Sequence, residues 1–131
     1  MESGIWELSS GRTMVRADAL FCMALGMLFA AFSAQVAGIT GLPANGAQML
    51  GVGSFLWGAF LFAQSRRNVI SAAFLLRLAL INTIATALLL VGVILDTLLL
   101  NLGGRYAFLL IAAAVGLFAL WAYAVSRRQP A

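Results

Sequence analysis

The chain has no histidine and no lysine, one cysteine, two prolines and four acidic residues in a length of 131. Without histidine it lacks the usual haem ligand and the commonest zinc ligand, and no nucleophile–histidine pair can be assembled. A single cysteine, Cys22, cannot form an internal disulfide or a paired-cysteine redox centre. It lies in an apolar stretch and reads as a small buried hydrophobe. There is no GxxxxGK[ST] loop to cradle phosphates and no CxxC pair to hold a metal. The sequence thus offers no catalytic residue, no metal-ligand set and no cofactor site, and a non-enzymatic protein is expected. Few prolines also leave long stretches free of helix breakers.

Charge is scarce. Charged residues are 9% of the chain, against about a quarter in an ordinary soluble domain, so they cannot cover a water-facing surface. Hydrophobic residues make up 63%, and lipid is therefore expected as the solvent for most of the exterior. The net charge of +4 is carried by arginine alone. Basic residues interleaved with aromatics in a soluble segment would suggest nucleic acid, but there is no such segment. The arginines instead read as topology signals and as contacts to membrane lipids.

Four apolar stretches follow one another, at about 15–37, 47–64, 69–95 and 106–125, each near the roughly 20 residues a spanning helix needs. Between them lie Gly38 to Ala44 with two glycines and a proline, the charged Ser65-Arg66-Arg67-Asn68, and Asn101-Leu102-Gly103-Gly104. Ser9 or Ser10 can cap the first helix. Asn45, with Gln48 three residues on, has the spacing of a capping box for the second. Short connections predict antiparallel neighbours, hence an all-α, integral-membrane, up-down four-helix bundle forming a single domain over 1–131. Four spans put both termini and the second loop on one side. That side holds Arg12, Arg16, Arg66, Arg67, Arg127 and Arg128, and the other holds Arg105. The positive-inside rule then places both termini of this multi-pass protein in the cytoplasm.

Polar groups inside a bilayer are costly, so each needs a reason. Arg77 lies about nine residues into the third stretch, some 13 Å deep counting from Asn68. Asp18 lies at a similar depth on the first helix. An Asp18–Arg77 ion pair inside the bundle is one expectation, and snorkelling of both to the headgroups is the other. Arg16 competes for Asp18, although residues two apart on a helix face away from each other. Asn82, with Thr86 one turn on, reads as inter-helix glue. Asp96 could pair with Arg105, although exposure of both at the headgroups is the simpler reading. Gly26, Ala30, Ala34 and Gly38 form a ridge of small residues at four-residue spacing, which lets two helix backbones come close. Ser54 with Gly58, and Ala112 with Gly116, are shorter versions. Trp6, Trp57, Trp121 and Tyr123 read as packing residues or interface anchors.

The segment Arg16-Ala17-Asp18-Ala19, Gly26 in mid-helix, Gly41-Leu42-Pro43, a glycine early in the second helix (Gly51 or Gly53) and Asn82 together resemble a pattern found in small bacterial four-span membrane proteins of uncharacterised activity. The tryptophan that often follows the asparagine by three residues in those proteins is Ala85 here. The plan is also similar to that of DoxX-like proteins. It is similar in size to the small multidrug resistance transporters, which carry a glutamate in the first span where this chain has only Asp18. The resemblance implies a shared fold and no particular reaction. Two functions remain as expectations. One is a protein that packs against itself, as a homo-oligomer, or into a larger membrane complex. The other is a small-solute transporter or channel, built as a homodimer, with a polar site near Asp18, Arg77 and Asn82.

Overall fold

The computed structural model describes residues 10–95 and 100–128. These residues form five helices and no strand: α1 (Gly11–Ala31), α2 (Ser33–Thr40), α3 (Ala44–Ser65), α4 (Ala72–Ile94) and α5 (Leu102–Ser126). Of these, α1, α3, α4 and α5 are long and apolar enough to cross a membrane, which is compatible with a multi-pass membrane protein. Trp6 and Asp96 lie outside the described residues.

Helix starts follow side-chain chemistry. The Ser10 hydroxyl accepts from the backbone N–H of Thr13 (3.4 Å), as expected for the first helix. Ser71 accepts from Phe74 N–H (3.1 Å), and Asn101 Oδ1 from Gly104 N–H (2.8 Å). Each side chain satisfies a donor that the first helical turn would leave open. Asn45 is not a cap. Pro43 holds that position and α3 begins at Ala44, because proline at a helix start forfeits only an N–H that would have had no partner. The expected first span is divided: Phe32 leaves helical backbone geometry, so α1 and α2 are separate elements. Gly41, at φ 86°, ends α2 in the left-handed conformation that glycine adopts without strain.

Two pairings dominate, α1 with α3 and α4 with α5. The sequence predicts that the short connection after Ser65 joins packed neighbours, but α3 and α4 pack little against each other. Instead α1 bridges the pairs. Phe21 meets Phe118 of α5 with ring centroids 5.5 Å apart, and Phe29 meets Phe108 at 6.5 Å. One buried cluster gathers Met14 and Val15 of α1, Leu61 of α3, Leu75 and Leu78 of α4, and Ala122 and Val125 of α5. A second gathers Phe29, Val36, Leu42, Ala47, Val93, Leu100 and Phe108.

The α1–α3 pairing is a close approach at glycines. A Cβ on Gly26 would lie 2.5 Å from both Gly51 O and Phe55 N, and one on Gly58 2.6–2.8 Å from Met23 and Ala19. Only half of the predicted ridge is used. Ala34 and Gly38 are exposed, and nothing lies within 4 Å of a Cβ on Gly38. Gly26 and Ala30 lie on α1, whereas Ala34 and Gly38 lie on α2, beyond the break at Phe32, and a row at four-residue spacing also drifts about 40° per step around a 3.6-residue helix. The partner ridge runs through Ala19, Met23, Gly26 and Ala30 instead. Gly103 and Gly104 lie inside α5, not in a break before it. Their missing side chains admit the carbonyls of Ile39 and Thr40, and Thr40 O accepts from Asn101 N–H (3.0 Å).

Gly26→Ala and Gly58→Ala should each destabilise the protein by about 1–3 kcal/mol, as overpacking does, while Gly53→Ala, whose Cβ meets nothing, should be neutral or stabilising. Unfolding in graded mixed micelles checks this. Equal losses at all three sites would contradict the close approach.

Candidate functional site

A thread of polar side chains crosses the bundle. Asp18 is 2% exposed and Asn82 5%. The Asn82 side-chain amide donates to Asp18 Oδ2 at 2.8 Å, joining α1 to α4. The Cys22 thiol donates to Asp18 Oδ1 at 3.5 Å. Ser54 of α3 donates to the backbone carbonyl of Cys22 at 2.8 Å. Thr86 donates to the backbone carbonyl of Asn82, also at 2.8 Å. Three helices thus meet through one carboxyl group and its neighbours, and among the described residues no buried side-chain polar atom lacks a partner. In a low-dielectric interior this matters, since an unmatched polar group costs more than a made bond contributes.

Helical geometry explains who meets whom. Asp18, Phe21, Leu25 and Phe29 share one face of α1, turned about 120° from the face that packs on α3. On α4, Leu75, Leu78, Ala79 and Asn82 are buried. Arg77 is five positions from Asn82, about 140° around the helix, and its side chain is exposed. The expected Asp18–Arg77 pair is therefore not formed. Asp18 takes Asn82 instead, and among the described residues Arg77 has no partner. Arg77 is also shallower than its position in the apolar stretch suggests. With α4 starting at Ala72, it lies about 7.5 Å from the helix start at 1.5 Å per residue.

Arg16 does not take Asp18 either. Its guanidinium reaches Ser65 Oγ at 3.4 Å and lies 6.0 Å from the Phe62 ring centroid. Arg12 donates to Ser65 O at 2.9 Å, to Arg67 O and to Asn68 O at 3.3 Å. Two arginines of the first helix thus cap the carbonyl end of α3, where cations are favoured by the helix dipole. Ser54, expected with Gly58 on a packing ridge, lies against α1, its hydroxyl bonding to the Cys22 carbonyl. Cys22 itself reads in sequence as a plain hydrophobe, and only its position one turn after Asp18 signals the thiol–carboxyl contact. A cavity of about 130 Å³ lies among the four long helices, bounded by Leu25, Phe29, Ser54, Leu89, Phe108 and Ile111.

The Asp18–Asn82 bond should contribute on the order of 1 kcal/mol, the scale of inter-helix hydrogen bonds in membranes. A double-mutant cycle with Asp18→Ala and Asn82→Ala, read by unfolding in mixed micelles, should return a coupling of about that size. Additive losses would mean that the two side chains do not act together. No protein-family model, curated protein or solved structure matches this chain.

Proposed function

We propose that this protein is a multi-pass component of a bacterial inner membrane, with its four long helices running up and down and both termini in the cytoplasm. In this reading it acts by helix packing, against a second copy or within a larger membrane complex, and not by catalysis. The up-down course is supported by the buried cluster that joins the start of α1 to the end of α3, the start of α4 and the end of α5. The orientation is supported by the arginines gathered at that end, against Arg105 at the other, and by the positive-inside rule.

The observation that carries the packing reading is the unused half of the ridge. Ala34 and Gly38 are exposed, and Gly38 has open space where a side chain would be. Small residues on a lipid-facing surface admit another helix at short range, and close packing is what drives helix association where water is absent. The interior polar groups support the same reading, since their hydrogen bonds are made within the chain.

A transport reading is favoured by a different observation, a carboxyl group, Asp18, buried among the long helices. It requires water to reach the carboxyl group. It predicts that Asp18→Asn abolishes a solute flux while the bundle stays folded.

A photo-cross-linking residue at Gly38 should give a discrete adduct in native membranes, at twice the chain mass for self-association or at a partner's added mass. The same residue at Leu88, which is 67% exposed on α4, should give none. Matching patterns at both sites would defeat the packing reading. Fluorescent-protein and alkaline phosphatase fusions at the C-terminus test orientation: the first should be active and the second silent.

A further inference from the structure

A groove of about 600 Å³ runs along the outer seam between α4 and α5, within the size range of small-molecule sites. Ala79, Ala87, Gly116 and Ala119 keep it open, and Leu76, Leu80, Leu90 and Leu120 line it as well. Two threonines line it without making it polar. The hydroxyl of Thr83 is turned to Ala79 O and that of Thr86 to Asn82 O, both at 2.8 Å. The Thr86 methyl lies nearest the open position at Gly116. From Leu76 to Leu90 the groove rises about 21 Å at 1.5 Å per residue, more than the roughly 15 Å of hydrocarbon in one leaflet.

One end of this apolar groove is cationic. Tyr123 lines it, and the Tyr123 hydroxyl accepts from Arg127 Nη1 at 3.0 Å, with the guanidinium 5.8 Å from the ring centroid. Arg77 follows the groove residue Leu76, at the same end of the bundle, but lies about 60° around α4 beyond Leu80, outside the groove wall. It is exposed and without a partner among the described residues. An exposed guanidinium on an apolar helix needs an anion or water within its reach. We propose that the groove holds one acyl chain of an anionic phospholipid, with the phosphate at Arg127, and Arg77 flanking the groove. A second protein helix would match the apolar wall but bring no anion. A phospholipid supplies both, in the order that the groove presents them, and at the end where the positive-inside rule places the anionic cytoplasmic leaflet.

Native mass spectrometry of the detergent-purified full chain tests this. The probes are phosphatidylglycerol and phosphatidylcholine with identical acyl chains. One phosphatidylglycerol should be retained per chain in preference to phosphatidylcholine. Arg127→Gln should weaken retention about fivefold, the scale of one arginine at an anionic surface, and Arg77→Gln, outside the groove wall, by less. Ala87→Phe fills the groove from an exposed position, and with helicity unchanged by circular dichroism it should lose the lipid. Equal retention of the two lipids would overturn the proposal. So would wild-type retention by both the arginine variants and Ala87→Phe, or displacement of the lipid by inorganic phosphate.

Discussion

Between Gly26 on α1 and Gly51 on α3 the backbones come so near that neither position has room for a methyl group, and the placing of the other helices depends on that approach. Water would drive apolar faces together, but lipid does not distinguish one leucine from another. Helix association in a bilayer rests on close packing and hydrogen bonds. Once the Ala19–Met23–Gly26–Ala30 side of α1 is given to α3, the side carrying Asp18, Phe21 and Phe29 is left for the rest of the bundle. The rings of Phe21 and Phe29 then meet α5, and the carboxyl of Asp18 meets α4.

The exterior is consequently inverted relative to that of a soluble protein, while the core stays largely apolar. Large aliphatic side chains such as Met49, Ile94 and Leu110 are more than 70% exposed, while Asp18, Ser65 and Asn82 are among the most buried groups. This inversion suits a solvent that cannot hydrogen-bond. Polar atoms must find partners inside the chain, and each partner found ties two helices in one register. Ser54, Cys22, Asp18 and Asn82 do this for three helices. Arg12 and Arg16 do it at the carbonyl end of α3 by reaching back from α1.

Much of this was legible in the residue order. Four apolar stretches give the four long helices, and Ser10 as a cap, Asn82 as inter-helix glue and Gly26 as a packing position all follow from local chemistry. What was not legible depends on rotation about the helix axis and on contacts distant in sequence. The ridge from Gly26 to Gly38 looks continuous when written out, but the break at Phe32 divides it between α1 and α2. Charge opposition suggests Arg77 for Asp18, while angular position selects Asn82. Gly103 and Gly104 look like a loop because nothing local announces that Thr40 occupies the space beside them. Sequential connection also misled at 66–71, where a short link joins helices that pack little on each other.

That link has a consequence for biogenesis. The two closest partnerships, α1 with α3 and α4 with α5, each lie wholly within one half of the chain. The amino-terminal half can complete its tightest contacts while the carboxy-terminal half is still on the ribosome. Joining the halves then brings together the two buried clusters, the Asp18–Asn82 bond, the phenylalanine pairs and the seating of Gly104 against Thr40. The chain is organised as two prefabricated modules, with the connection at 66–71 acting as a tether that holds them at high effective concentration.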